Sequence, residues 1–149
     1  LSVIPNDYPL TVFHCSSAYP TPSHDANLAS IVSLKMLLED LGFTNFDLGW
    51  SDHTRNPGII NRAYHKYDIT YCELHYDLSD SLGYEFKAGH CWIPEELAYL
   101  KKSIEVGSEA DGKWLKSTNS SEQADRMWRT DPQDGLRPFL KIRNTFQGD

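Results

Sequence analysis

The chain has 149 residues, a mass of 17.0 kDa and a formal net charge of −7 at pH 7, a size sufficient for one domain with its own hydrophobic core. Apolar residues make up 40% of it, as in globular rather than disordered proteins. The acidic balance disfavours general nucleic-acid and membrane-surface binding, which use basic surfaces, but it is compatible with a locally positive site for an anionic substrate.

The cysteines and the hydropathy pattern bear on the location of the protein. Cys15, Cys72 and Cys91 are an odd number at wide, irregular spacing, which argues against a disulfide framework and favours a reducing, cytoplasmic setting. No segment approaches the ~18 consecutive apolar residues of a membrane span, and the first residues lack a basic-then-apolar signal pattern. We therefore expect neither a nucleic acid nor a membrane among its partners.

The first predicted unit is a strand followed by a helix. Residues 10–15 (LTVFHC) are apolar on both faces, which is typical of a buried parallel strand. A loop with two prolines follows at residues 16–22, and then a helix that begins near Ser23 or Asp25 and ends at Gly42. Its apolar stripe has helical spacing and consists of Leu28, Ile31, Leu34, Leu38 and Leu41.

Two further strands are predicted on either side of a second helix. The strands cover residues 43–50 and 68–75, and the helix opens at Asn56 and Pro57 and runs through Tyr67. Strands and helices that alternate in this way predict an α/β fold with a parallel sheet and right-handed crossovers.

The remainder of the chain is less regular. Residues 78–92 are predicted as a long loop of the kind that forms functional lids, and a helix begins at Pro94. We divide the chain into residues 1–106, which hold the strand–helix units, and residues 107–149. The second region is predicted to contain a polar linker, a short helix that begins at Ser120, and an irregular tail.

Polar residues follow the predicted strands at their carboxyl ends, where α/β folds place their chemistry. Ser51 and His53 share one face of their strand, as do Glu73 and His75, because successive side chains of a strand alternate. Neighbouring parallel strands would bring the two imidazoles together. Such a group predicts a divalent-metal and anion site, although either histidine is also compatible with a purely structural role.

Three segments resemble the N-acetylneuraminate (sialic acid) synthase family. They are residues 14–22 (HCSSAYPTP), 49–54 (GWSDHT) and 73–76 (ELHY), in the family's order and at similar spacing. The resemblance covers residues 11–104. It implies the C-terminal strand–helix units, about strands 6 to 8, of a (β/α)8 TIM barrel, so that the chain is expected to be part of a larger enzyme.

The resemblance also implies a reaction and a cofactor. The family are transferases that condense phosphoenolpyruvate with N-acetylmannosamine or a related amino sugar, which yields a nine-carbon 2-keto acid and phosphate. His53 and His75 match the family's ligands for a divalent ion, most often Mn2+, with Mg2+ and Co2+ as alternatives. A bound ion of this type acts as a Lewis acid that polarises the sugar aldehyde.

Further site residues follow from the same match. Ser17 and Ser51 match positions that contact the phosphate of phosphoenolpyruvate, and Tyr19 matches a position in the substrate pocket. Alternatively, Ser17 and Tyr19 contact no substrate and only cap the loop or pack against it. Glu73 is a catalytic candidate that would orient a ligand or polarise the site. Alternatively, Glu73 only packs in one of the side-chain layers inside the barrel.

The loop after the last matched strand departs from the family. A run similar to Gly-Pro-Asp-His is usual there, whereas residues 82–92 read LGYEFKAGHCW. Glu85 is the catalytic candidate in place of the aspartate, and Lys87 and His90 are candidates for binding substrate. His90 and Cys91 are a weak metal-ligand pair, because side chains adjacent in sequence seldom share one ion.

Three strands leave open edges, so we expect a homo-oligomer or a separate N-terminal barrel half to complete the fold. The chain alone is expected to bind substrate weakly and to turn over poorly. A second hypothesis is a non-catalytic sugar-phosphate-binding or oligomerising half-barrel module. A third is another phosphoenolpyruvate-dependent aldolase-type synthase with the same metal site and a different acceptor.

Overall fold

The computed structural model describes residues 3–79 and 83–146, which belong to two compact units. The first unit extends to Gly112 and the second begins at Lys113. Within the described ranges, no helix is long and apolar enough to cross a membrane.

The first unit is built on a parallel sheet of four strands that lie in sequence order. They are β1 (Leu10–Cys15), β2 (Phe46–Asp52), β3 (Tyr71–Tyr76) and β4 (Cys91–Trp92). The α/β class and the parallel sheet predicted from the sequence are thereby confirmed, with one strand more than expected.

Helices connect the strands or, in the case of the last helix, follow them. They are α1 (Ser30–Asp40), α2 (Pro57–Tyr67), α3 (Tyr84–Ala88) and α4 (Pro94–Ala110), and a single 3-10 turn covers Ser23–Asp25. Apolar side chains from the helices pack with those from the sheet into one core. Its most deeply buried members are Trp50, Ile60, Ala63, Ile31 and Leu38.

The first helix begins later than predicted. Asn27 has a φ of 44°, in the left-handed region, so the 3-10 turn cannot continue as an α-helix and α1 starts at Ser30. Gly42, with a φ of 83°, ends the helical segment as expected.

The prediction of a long loop over residues 78–92 is wrong. Of these, residues 80–82 lie outside the described part of the chain, and the remainder contains α3 and β4. A strand of two residues is too short for any periodicity to predict, and only its pairing of His75 with Cys91 and Tyr76 with Trp92 defines it.

Helix α4 also extends past Gly107, which had suggested the start of a linker. A Cβ atom at this position would lie 2.5 Å from Nε2 of His65 on α2. The glycine therefore allows α2 and α4 to approach closely, and it does not mark the end of a helix.

Asn56 caps α2 as predicted: its Oδ1 accepts a hydrogen bond of 2.9 Å from the backbone N–H of Gly58. Replacing Asn56 with alanine is expected to lower the free energy of unfolding by about 1 kcal/mol, because this N–H loses its acceptor. Asn56→Ser should stay within about 0.5 kcal/mol of the wild type, since serine caps equally well. Urea denaturation of the wild type and both variants measures the free energy of unfolding. An Asn56→Ala variant as stable as the wild type would contradict the role of the cap.

The second unit consists of short helical segments. Two 3-10 helices cover Ser120–Glu122 and Ala124–Trp128, and α5 covers Leu140–Arg143. The helix expected at Ser120 is present, but its cap is Asn119, whose backbone N–H donates to Glu122 at 2.8 Å.

Candidate functional site

The carboxyl ends of the strands align residues from three segments. In the register of the sheet, Ser51 of β2 lies between Cys15 of β1 and Glu73 of β3, and His75 lies beside Cys91 of β4. Side chains alternate along a strand, so Glu73 and His75 project from the same face. One edge of the sheet therefore collects a hydroxyl, a carboxylate, an imidazole and thiols.

Three histidine rings gather around one tyrosine at this edge. The ring centroids of His53 and His75 are 5.1 Å apart, which is the juxtaposition that strand alternation predicts. Tyr19 lies 4.1 Å from His53 and 5.5 Å from His75. His90 is 4.9 Å from His75 and 5.3 Å from Tyr19. We call Tyr19, His53, His75 and His90 the histidine cluster.

The tautomer of His53 follows from its hydrogen bond. Its Nδ1 lies 2.9 Å from the carbonyl oxygen of Ser16, and a carbonyl can only accept, so Nδ1 carries the proton. In the neutral ring, Nε2 then keeps a free lone pair. Metal-binding histidines commonly donate their second N–H in this way. The backbone N–H of Thr21 donates to the carbonyl of His53 at 2.8 Å and ties the same two loops together.

Ser51 and Glu73 form a direct pair. The buried hydroxyl of Ser51 donates to Oε1 of Glu73 at 2.8 Å, across the β2–β3 register. A serine hydroxyl has one proton, so in this arrangement it orients the carboxylate. Ser51 as a donor to phosphate stays a prediction, and it requires the hydroxyl to turn away from Glu73.

Two other predicted substrate residues lie at the surface. Ser17 is exposed, with its Oγ 3.6 Å from Sγ of Cys15. Lys87 is exposed on α3, and its ammonium group forms no hydrogen bond or ion pair with the residues that the structure describes. Neither is drawn into the histidine cluster by a contact, and their roles in binding stay predictions.

A second group of potential ligands shares His75 with the histidine cluster. Each member of this group offers one potential ligand atom, and the four atoms all lie within 4.8 Å of one another. The members are His75, Glu85, His90 and Cys91. Oε2 of Glu85 is 3.6 Å from Nδ1 of His75 and 3.6 Å from Sγ of Cys91. Burial, and secondarily the carboxylate of Glu85, raise the pKa of the Cys91 thiol to about 11. The adjacent residues His90 and Cys91 thus do converge, against the sequence-based expectation.

Asp52 is a buried carboxylate that the sequence did not single out as important. It is fully buried, and its two oxygens accept five hydrogen bonds of 2.6–3.4 Å. Backbone N–H groups two and three residues after Asp52 are among the donors, as in an Asx-turn, and a short polar residue at such a turn is the signal that the sequence contained. The donors are the indole N–H groups of Trp50 and Trp92, the N–H and hydroxyl of Thr54, and the N–H of Arg55. Asp52 thereby holds the loop that carries His53.

Arg55 connects this loop to α3 and α4. Its Nη2 lies 2.6 Å from Oε1 of Glu96 at the start of α4, and its guanidinium lies 4.2 Å above the ring of Phe86 in α3. The pair is partly buried and helps to place α3, and with it Glu85, beside the histidine cluster.

An apolar groove of the first unit lies away from the histidine cluster. A groove of about 430 Å³ runs between α2 and α4 over Cys72 and Leu74, which alternate with Glu73 and His75 along β3. Burial raises the pKa of the Cys72 thiol to about 12. The groove is apolar, so the site is identified by the chemistry of its side chains and not by a cavity.

The model of the NeuB family matches residues 4–116. The chain is 34% identical over 116 residues to N,N'-diacetyllegionaminic acid synthase of Campylobacter jejuni subsp. jejuni serotype O:2. That alignment covers 76% of the chain and 32% of the relative, so the chain spans about a third of the relative's length.

Solved structures give the same picture. The chain is 26% identical to the N-acetylneuraminic acid (sialic acid) synthetase of Leptospira borgpetersenii serovar Hardjo-bovis in complex with citrate, with a TM-score of 0.56 over 93% of the chain and 41% of that protein. Spore coat polysaccharide biosynthesis protein E of Chromobacterium violaceum, 24% identical, also has a TM-score of 0.56, over 80% of the chain and 34% of that protein. This second likeness concerns the fold alone.

The family match extends from before β1 to beyond the end of α4. It therefore includes every strand of the sheet and the whole histidine cluster. The resemblance of the three strand-end segments to sialic acid synthases is confirmed, and the chain belongs to the NeuB family.

Proposed function

We propose that this chain is part of the catalytic barrel of a sialic-acid-type synthase. The reaction condenses phosphoenolpyruvate with N-acetylmannosamine or a related amino sugar to a nine-carbon 2-keto acid and releases phosphate. The observation that carries the proposal is the pairing of His53 with His75 beside the Ser51–Glu73 hydrogen bond, at the carboxyl ends of parallel strands. The names of the Campylobacter and Leptospira relatives support it.

The same proposal includes the place of the chain in the fold. The first unit would supply C-terminal strand–helix units, about strands 6 to 8, of a (β/α)8 barrel. Its boundary lies at Gly112, after the end of α4, and not at residue 106 as expected from the sequence. Strands β1 and β4 are the edges of the described sheet, and further strands from the same protein or a second copy would pair with them. A cytoplasmic location also stays a prediction.

The residues present fit a divalent ion. His53 has its Nε2 lone pair free because its Nδ1 donates to Ser16, and the ring of His75 is next to it. We propose these two as ligands of Mn2+ or a related ion, which supplies Lewis acidity toward the aldehyde of the sugar when bound. Tyr19 covers one side of His53 and limits the access of water there.

Glu73 and its partner would orient the substrates. The carboxylate is exposed on the site face, so it can accept hydrogen bonds or a proton from a sugar hydroxyl. The hydrogen bond from Ser51 restricts its rotation. Glu85 and Lys87 are proposed to contact substrate from α3, and Ser17 from the β1 loop.

The test is release of phosphate from phosphoenolpyruvate by the purified protein, measured with N-acetylmannosamine and Mn2+, with and without a chelator. We expect slow release by this part of the barrel, which depends on the sugar and stops with the chelator. Release that continues without a sugar or with chelator present would contradict the proposal. A panel of acceptor sugars separates this synthase from an aldolase-type synthase with another acceptor.

Replacing Ser51 with alanine is expected to slow phosphate release by about tenfold, because a hydrogen bond to a charged group contributes about 1.5–3 kcal/mol and Glu73 loses its orienting donor. Steady-state kinetics measure the effect. Ser23→Ala, at an exposed serine in the 3-10 turn, is the matched control and should be unchanged. A Ser51→Ala enzyme with wild-type kinetics would remove this hydroxyl from the mechanism.

A second candidate function is a non-catalytic sugar-phosphate-binding or oligomerising module. The open edges of the four-stranded sheet favour it. It requires saturable binding of sugar phosphates in the presence of a chelator, together with a stable oligomer. Calorimetry and sedimentation velocity distinguish it from the synthase, whose ligand binding should depend on the metal.

A further inference from the structure

We propose that His90 and Cys91 complete a metal site with His75 and Glu85, and that this nitrogen–sulfur–oxygen site selects ions of the Zn2+ and Co2+ type. The proposal does not depend on the synthase reaction, because metal binding is measured without any substrate. It adds three ligands, Glu85, His90 and Cys91, beyond His53 and His75.

The distances suit a tetrahedral ion. Four ligands at the usual zinc distances of about 2.0–2.3 Å are about 3.3–3.8 Å from one another. Oε2 of Glu85 lies 3.6 Å from both Nδ1 of His75 and Sγ of Cys91. All four ligand atoms are within 4.8 Å of each other, so small side-chain rotations bring the remaining pairs into range.

His90 provides an independent indication of a ligand. Its side chain is more than nine-tenths buried, and Nδ1 has no hydrogen-bond partner among the residues that the structure describes. A buried polar atom without a partner costs about 1–3 kcal/mol, and binding an ion removes this cost. The ring of His90 stands 4.9 Å from that of His75, in an edge-on arrangement.

The backbone explains how two consecutive residues reach one site. Gly89 ends α3 with a φ of 93°, so the chain reverses direction immediately before His90. Cys91 then pairs with His75 in the parallel register of β4 and β3. The third ligand, Glu85, comes from the first turn of α3, and its side chain is 61% exposed, which gives an ion a path from solvent.

The set of donors determines the preferred metal. Thiolate and imidazole ligands favour Zn2+ and Co2+ over Mn2+, which prefers oxygen ligands. Protein sites also generally bind Mn2+ more weakly than the later first-row divalent ions, so both effects favour Zn2+ and Co2+ here. We therefore expect Zn2+ to bind at least about tenfold more tightly than Mn2+ at this site. The four-residue group and the His53–His75 pair share His75, so they compete for one ion.

Cobalt spectroscopy on the full chain tests the proposal. Titration with Co2+ should give the intense visible bands of a tetrahedral ion and a thiolate-to-cobalt charge-transfer band in the near ultraviolet. Cys91→Ser should abolish the charge-transfer band, and His90→Gln should weaken Zn2+ binding at least about tenfold. X-ray absorption at the zinc edge should show one sulfur ligand in the wild-type protein.

The other thiols and histidines serve as matched controls. Cys72→Ser, on the opposite face of β3, and Cys15→Ser, at the exposed end of β1, should keep the charge-transfer band. His24→Gln replaces an exposed histidine and should not change Zn2+ affinity. His53→Ala should weaken Mn2+ binding but leave the thiolate band intact, which separates this site from the ion of the proposed reaction.

Three results would overturn the proposal. The first is a wild-type protein without the charge-transfer band, and this outcome does not depend on whether any variant folds. The second is a band that survives Cys91→Ser. The third is Zn2+ affinity that is unchanged in His90→Gln when circular dichroism shows the variant to be folded.

Discussion

Replacing His75 with alanine is expected to lower the affinity for both Mn2+ and Zn2+ by at least about 100-fold, because even the loss of a residue that only supports a ligand costs 10–100-fold. His75 lies beside His53 on one side and beside Glu85, His90 and Cys91 on the other. Its loss therefore removes a ligand from either arrangement. Isothermal titration calorimetry with each metal measures the change.

Two comparisons make this result specific. His24→Ala, at an exposed histidine outside the cluster, should retain wild-type affinity for both metals. His53→Ala should weaken Mn2+ binding more than Zn2+ binding if the His53–His75 pair and the four-residue group are distinct sites. Wild-type binding of both metals by a folded His75→Ala variant would show that neither arrangement holds the ion.

Replacing Asp52 with alanine is expected to lower the free energy of unfolding by about 3–5 kcal/mol, because two buried and three partly buried donors lose their acceptor at once. Asp52→Asn keeps one carbonyl acceptor but presents an amide N–H to donor groups, so we expect about 2 kcal/mol. Guanidinium denaturation, followed by tryptophan fluorescence, measures both values, and the buried Trp50 and Trp92 are two of the four tryptophans that contribute to the signal.

The control for this prediction is Asp47→Asn. Asp47 is exposed on β2 and accepts one hydrogen bond of 3.0 Å from Thr70, so its replacement should cost less than about 1 kcal/mol. Equal stabilities of the Asp52→Ala and Asp47→Asn variants would contradict the assignment of Asp52 as the acceptor that holds the loop. If Asp52→Asn loses metal affinity but keeps the wild-type free energy of unfolding, then Asp52 positions His53 without stabilising the fold.

Local chemistry was sufficient to predict much of the fold. Residues 10–15 are apolar on both faces, and this pattern predicted the parallel strand β1 without a structure. Its residues are half-buried or exposed in the described sheet, so the expected burial of this strand is not observed. Asn56 before Pro57 marks a helix start through one hydrogen bond within three residues. The alternation of side chains along β2 and β3 similarly predicted that His53 and His75 would meet.

Features that depend on contacts across the sheet could not be predicted. Strand β4 has two residues, and its identity comes from pairing with β3 and not from its own pattern. Gly107 resembled a helix end, whereas its role is to leave room for His65 of another helix. Asp52 reads as an ordinary polar residue in a loop, and only the indole N–H of Trp92, 40 residues away, completes its set of donors.

Sequence periodicity and turn chemistry thus decide the class of fold and the edge of the sheet where the chemistry lies, since both act over a few neighbouring residues. The proposed metal ligands other than His53 and His75 are brought together only by the tertiary structure. Glu85, His90 and Cys91 come from a helix, a turn and a strand, and they converge because Gly89 turns the chain and β4 pairs beside His75. A site assembled from separate elements depends on their packing, which no local pattern encodes.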